Sequence, residues 1–127
     1  MEWLWVALGG AAGALGRWSL SSAVHGALGA GWAWGTLSVN VLGCLGLGIV
    51  AVWADAATSG EWIRSGLGIG FLGAFTTFST FSLEAVRMAQ DGEGGRAAAY
   101  VLASVVIGGL AVLAGMALGR WGLGRLG

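Results

Sequence analysis

The chain contains 127 residues with no net formal charge, 57% hydrophobic residues and only 9% Asp, Glu, Lys and Arg. A typical soluble domain carries roughly a quarter charged residues, so this composition excludes a soluble fold, a disordered chain and a nucleic-acid-binding domain. The single cysteine, Cys44, and the single histidine, His25, exclude an intrachain disulfide and a His-based metal cluster. We therefore expect a small integral membrane protein with one transmembrane domain over residues 1–127.

Charged residues divide the chain into four apolar stretches, each close to the roughly 20 residues that a membrane-spanning helix needs. The predicted helices lie at 3 to about 24, about 34 to 54, 65–83 and 97–119. Because the N-terminus begins Met-Glu-Trp and has no basic segment, we interpret the first stretch as a retained helix and not as a signal peptide. The sequence thus predicts an all-α protein with four transmembrane helices joined by short connections.

Glycine spacing predicts how these helices associate, since the chain has 26 glycines and no proline. Pairs of glycines four residues apart occur at 9 and 13, 66 and 70, and 115 and 119. Residues four apart share one helix face, and small residues on that face let two backbones approach closely in lipid. We therefore predict closely packed helices.

The arginines are balanced between the two sides of the membrane. With four spans, Arg64, Arg120 and Arg125 lie on one side, whereas Arg17, Arg87 and Arg96 lie on the other. Orientation normally follows an excess of Lys and Arg on the cytoplasmic side, and no excess exists here. The balance favours insertion in both orientations and an antiparallel dimer with a two-fold axis in the membrane plane, although a single orientation set by another factor stays open.

Polar residues cluster inside the second and third spans. Asn40 lies within span two, and five hydroxyl residues crowd the interval 76–82 of span three. Such groups are costly at membrane depth and are often functional. Gly73 followed by Thr76 and Thr77 predicts a helix break near the centre of span three, whose freed carbonyl groups suit a hard cation such as Na⁺. Two copies of this break near a two-fold axis would complete one coordination shell.

Aromatic and hydroxyl groups near this break favour an anion as the transported species. Phe78 and Phe81 are three residues apart and share a helix face, where their electropositive ring edges suit an anion, although simple packing is an alternative. Tyr100 and Ser104 add two hydroxyl donors on one face of span four. These donors are neutral and hold an anion weakly enough to release it.

Two charged residues in the spans have more than one interpretation. Arg17 lies deep in span one and either lines an aqueous vestibule that attracts anions, snorkels to the interface or pairs with an acid. Glu84 ends the third span and lies either at a pore mouth or simply at the membrane interface.

Three segments resemble the Fluc family, the CrcB-type fluoride channels of bacteria. The segments are GGAAGALGR at 9–17, GTLSVN at 35–40 with Gly43, and GFLGAFTTFSTF at 70–81. The resemblance covers nearly the whole chain and implies a dual-topology antiparallel homodimer in the plasma membrane. It further implies a passive fluoride-selective channel with two pores that exports F⁻ and lowers cytoplasmic fluoride.

The resemblance also implies site residues. Fluoride pore residues are Asn40, Phe78, Phe81, Ser79, Thr80, Tyr100 and Ser104. Vestibule residues are Arg17 and Glu84, and the backbone carbonyl groups of Gly73 and Thr76 match a central structural Na⁺ site shared by both subunits.

Other functions fit the sequence less well. A small dual-topology proton-coupled multidrug exporter needs a carboxylate deep in the membrane, whereas Glu2 and Glu84 lie at span ends. A non-transporting assembly subunit does not account for the hydroxyl residues beside a helix break. The glycine pattern of Gly68, Gly70 and Gly73 is not a dinucleotide site, because it has no strand before it. No arrangement of residues predicts an enzyme.

Overall fold

The computed structural model describes residues 1–29, 31–56 and 60–126, and the regular secondary structure in these ranges is entirely helical. Its elements are α1 (Glu2–Leu28), α2 (Trp34–Asp55), a π-helix (Trp62–Leu72), α3 (Gly73–Phe75), α4 (Phe78–Gln90) and α5 (Gly94–Leu126). The all-α prediction is confirmed. Helix α1 is longer than the predicted end near Val24, and it ends before Gly29, whose φ of 78° is readily adopted only by glycine.

Three segments are long and apolar enough to cross a membrane. They are Trp34–Asp55, Trp62–Gln90 and Gly94–Arg125. Helix α1 has 27 residues, or about 40 Å at 1.5 Å per residue, so its length is sufficient. It is less apolar because it carries Glu2, Arg17 and His25. The chain is therefore a multi-pass membrane protein with four long helical segments, three of which qualify as spans by hydropathy.

Glycines hold the helices together in two pairs, α1 with the π-helix and α2 with α5. Gly9 and Gly13 of α1 lie directly against the carbonyl groups of Gly66 and Phe71, so that a Cβ atom at either position would overlap the backbone. Gly115 of α5 lies equally close to a carbonyl group of α2. The predicted close packing through small residues is confirmed at these positions.

The third segment is broken at Thr76 and Thr77, whose backbones are extended, with φ and ψ of −84° and 158° and of −148° and 112°. Upstream, the Thr76 N–H and Oγ1 both donate to the Leu72 carbonyl, at 3.1 and 3.0 Å. Downstream, Thr77 Oγ1 accepts from the Thr80 N–H at 3.2 Å and caps α4. The break lies later than the predicted start at Gly73, which keeps a helical φ of −63°.

Candidate functional site

Asn40 of α2 binds the backbone at this break. Its Nδ2 donates to the Thr77 carbonyl at 3.1 Å, and its Oδ1 accepts from the Thr77 N–H at 2.8 Å. A helix break at membrane depth exposes backbone groups, which need a partner in the protein or in a polar cavity. Asn40 supplies both partners to one residue and so fixes where α4 begins. One hydrogen of its NH₂ group remains for another acceptor.

A cavity of about 350 Å³, the central cavity, lies beside the break. Its lining includes Asn40, Thr77, Phe78, Phe81 and Ser104, and every described residue that lines it is uncharged. Ser104 Oγ is buried and has no hydrogen-bond partner within the described residues, so it is available as a donor to a small ligand. The rings of Phe78 and Phe81 are 5.8 Å apart at 45°, and Phe78 is 79% exposed.

Phe81 links the central cavity to a hydrogen-bonded cluster of Thr36, Glu84 and Tyr100, the Glu84 cluster. The ring centroids of Phe81 and Tyr100 are 5.2 Å apart. Tyr100 Oη donates to Glu84 Oε2 at 2.7 Å, and Thr36 Oγ1 donates to Oε1 at 2.8 Å. Tyr100 is fully buried. Two buried hydroxyl groups thus already bind an anionic group, the Glu84 carboxylate.

Beyond the Glu84 cluster lies a polar cavity of about 300 Å³, the mouth cavity. Its described lining includes six charged or titratable residues, namely His25, Glu84, Arg87, Asp91, Glu93 and Arg96. Arg96 donates to Glu93 at 2.6 Å and to the Gly31 carbonyl. The mouth cavity therefore differs in kind from the uncharged central cavity.

Arg17 lines a separate cavity of about 250 Å³, the Arg17 cavity, with hydroxyl residues that include Thr36, Thr77 and Thr80. Among the described residues no acid pairs with Arg17, and its side chain makes no hydrogen bond. Arg17 and Glu84, both predicted for a vestibule, thus line different cavities that share Thr36.

The structure brings together some predicted residues and separates others. Asn40, Phe78, Phe81 and Ser104 meet at the central cavity, and Tyr100 adjoins Phe81. Ser79 is exposed and lines none of the three cavities, and its Oγ lies 3.4 Å from Thr77 Oγ1.

Sequence reasoning missed the role of Thr36. This residue is four positions before Asn40, and that spacing alone puts both on one face of α2. The carboxylate that Thr36 binds is 48 positions away, so the partner itself was outside the reach of the local pattern.

Backbone carbonyl groups at the break are the best candidates for a cation site. Because the Thr77 N–H donates to Asn40, the Gly73 carbonyl lacks its usual donor four residues on. Gly73 is also exposed, with no side chain to cover it. The residues described in the structure contain no group of three or more His, Cys, Asp or Glu that could hold a metal ion. The local chemistry therefore fits a hard cation held by main-chain oxygen atoms.

The sequence matches one protein family and several named relatives. Residues 4–116 match the family described as CrcB-like protein, Camphor Resistance (CrcB). The relative from Acidobacterium capsulatum, a fluoride-specific ion channel FluC, is 44% identical over 94% of this chain and 97% of its own. Relatives with the same name from Magnetococcus marinus and Hahella chejuensis are 44% and 46% identical, over 94% and 92% of this chain and 98% and 93% of their own.

Proposed function

The chain belongs to the CrcB-like family, and we propose that it is a fluoride-selective channel that lets F⁻ leave the cell passively and lowers cytoplasmic fluoride. It is a multi-pass protein of the bacterial plasma membrane. The observation that carries this proposal is the uncharged central cavity beside the helix break, where Ser104 Oγ and the Asn40 amide offer hydrogen-bond donors. Its relatives, which are named as fluoride-specific ion channels, supply the identity of the anion.

Neutral donors explain how such a channel would bind and release a strongly hydrated anion. Fluoride gives up water only if hydrogen bonds replace it, but a fixed positive charge would hold the ion too long for conduction. Ser104 Oγ, the free hydrogen of the Asn40 amide and the ring edges of Phe78 and Phe81 offer partial positive charge alone. In this proposal the hydroxyl group of Thr80 extends the path towards Arg17, and those of Tyr100 and Thr36 extend it towards the mouth cavity.

An antiparallel homodimer is the second part of the proposal. Phe78 is 79% exposed although its neighbour Phe81 faces the cavity, so a second subunit would complete the aromatic lining. The balanced arginines allow that subunit to insert in the opposite orientation. Each copy would also bring a break with the Gly73 and Thr76 carbonyl groups, and two such sets would hold one structural Na⁺ between the subunits.

Drug export is not favoured as an alternative. A proton-coupled exporter needs a carboxylate in its central binding site, and the described lining of the central cavity has none. Glu84 lies one cavity away, where Thr36 and Tyr100 already donate to both of its oxygen atoms.

Fluoride efflux from proteoliposomes tests the proposal. The purified protein is expected to release fluoride with no imposed proton gradient and to exclude chloride. Replacement of Phe81 by Ile is expected to slow efflux strongly because it removes the ring edge. The matched control is Phe71→Ile, since Phe71 stacks on Phe75 at 5.6 Å and does not line the central cavity. No fluoride efflux from correctly folded protein, or equal rates in both variants, would contradict the proposal.

A further inference from the structure

The charges around the mouth cavity do not balance. Three carboxylates, those of Glu84, Asp91 and Glu93, line it with only two guanidinium groups, those of Arg87 and Arg96. By formal charge at pH 7, the lining at this end of the proposed fluoride path carries one more negative than positive group. An anion that crosses it passes one more carboxylate than guanidinium groups, whereas the neighbouring Arg17 cavity, which shares Ser21 and Thr36 with it, has one arginine as the sole charged residue of its described lining.

One pair of charges in the mouth cavity neutralises itself. Arg96 donates to Glu93 at 2.6 Å and also to the Gly31 carbonyl, so this guanidinium is held in place and its charge is matched. Thr36 and Tyr100 bind Glu84, but they are neutral donors and leave its charge in place. The remaining charges are the carboxylates of Glu84 and Asp91 and the guanidinium of Arg87.

Arg87 is the cation placed to offset both carboxylates. It lies three residues after Glu84 and four before Asp91, so the three side chains share one face at the end of α4. Arg87 is exposed and makes no ion pair or side-chain hydrogen bond with any residue that the structure describes. Its charge is therefore the property through which we expect it to affect the two neighbouring carboxylates.

We infer that Arg87 determines how readily fluoride crosses this mouth, by lowering the negative potential that Glu84 and Asp91 create. This inference rests on the proposed channel function and assigns a role to a residue outside the donor-lined path. Removal of the Arg87 charge leaves two uncompensated carboxylates next to the permeating anion and lowers the local fluoride concentration. Removal of the Asp91 charge raises the local fluoride concentration.

Salt concentration separates this charge effect from a structural role. The Debye length is about 30 Å at 0.01 M and about 3 Å at 1 M ionic strength, so an exposed charge acts across the cavity only at low salt. The experiment measures initial fluoride efflux from proteoliposomes at both ionic strengths and one fixed pH. The variants are Arg87→Gln, Arg87→Lys, Asp91→Asn and the double variant Arg87→Gln/Asp91→Asn. The control is Arg120→Gln, an exposed arginine of α5 outside the mouth cavity.

At low salt we expect Arg87→Gln to slow efflux about two- to fivefold, because an exposed charge interaction is worth up to about 1 kcal/mol and about 1.4 kcal/mol corresponds to a factor of ten. Arg87→Lys and Arg120→Gln should keep the wild-type rate, Asp91→Asn should match or exceed it, and the double variant should recover most of the loss. High salt should remove the differences. Equal rates for Arg87→Gln and wild type overturn this inference alone, as does an equal, salt-independent deficit in Arg87→Gln and Arg87→Lys. A wild-type protein that releases no fluoride overturns the proposed function and this inference together.

Discussion

Replacement of Asn40 by alanine removes the two hydrogen bonds that join α2 to the backbone of Thr77. These bonds, at 3.1 and 2.8 Å, connect residues 37 positions apart and satisfy both backbone polar groups of one residue at the break. Alanine keeps the helical preference of α2, so the change tests the side chain and not the helix.

The expected loss of stability follows from these two bonds. Side-chain hydrogen bonds between membrane helices contribute on average about 0.6 and at most about 1.7 kcal/mol each, so two are worth about 1–3 kcal/mol. Thr77 is only 7% exposed, so its N–H and carbonyl groups would be left buried without a partner. We therefore expect a loss of stability at the upper end of this range, about 3 kcal/mol.

Two measurements check this prediction. Unfolding of the purified protein gives the loss of stability, and hydrogen exchange of residues 76–80 reports the break itself, where exchange in Asn40→Ala is expected to be faster than in wild type. Ser38→Ala is the matched control, because Ser38 lies on the same helix and makes no side-chain hydrogen bond with any described residue. Wild-type stability and wild-type exchange at 76–80 in Asn40→Ala would refute the reasoning that Asn40 holds the break.

Three further predictions concern packing, the Glu84 cluster and the proposed cation. Gly115→Ala is expected to destabilise the protein by about 1–3 kcal/mol because its Cβ overlaps a carbonyl of α2. Gly109→Ala is the control and is expected to be neutral or stabilising, since the space around Gly109 is open. Equal melting temperatures of the two variants would contradict this prediction. Tyr100→Phe keeps the ring but removes the donor to Glu84, so we expect slower fluoride efflux from protein that is still folded; an unchanged rate would remove Tyr100 from the proposed path. Exchange of Na⁺ for N-methylglucamine is expected to lower the melting temperature of the purified protein, and an identical melting curve would argue against carbonyl-bound Na⁺.

The helical segments followed from the sequence because hydropathy and charge act locally. Helix α2 begins at Trp34 as predicted, since a connection precedes it and an uncharged run follows. Helix α1 continued to Leu28, past its predicted end, because Ser21, Ser22 and His25 are tolerated in a helix and the chain turns only at Gly29. Glycine spacing likewise predicted close packing, since residues four apart must share a face.

The position of the break depended on contacts between helices. The sequence places a weak point between Gly73 and Thr76, but the structure keeps Gly73 helical and breaks the chain at Thr76 and Thr77. At this position the Asn40 side chain accepts from the Thr77 N–H, which in a continuous helix would donate to a carbonyl of the same helix. A partner on another helix leaves no trace in the local pattern of span three.

The sequence by itself determined that this is a polytopic, uncharged-core membrane protein with hydroxyl, amide and aromatic groups at membrane depth, because residue type and spacing suffice for that. The tertiary structure decided which of those groups bind one another and which have no partner among the described residues. It brought Asn40 to Thr77, gave Glu84 two hydroxyl donors, and left Ser104 Oγ without a partner among the described residues beside Phe81. Hydrogen bonds of a few ångströms depend on how four helices pack, and that packing is set by backbone contacts at glycines distant in sequence.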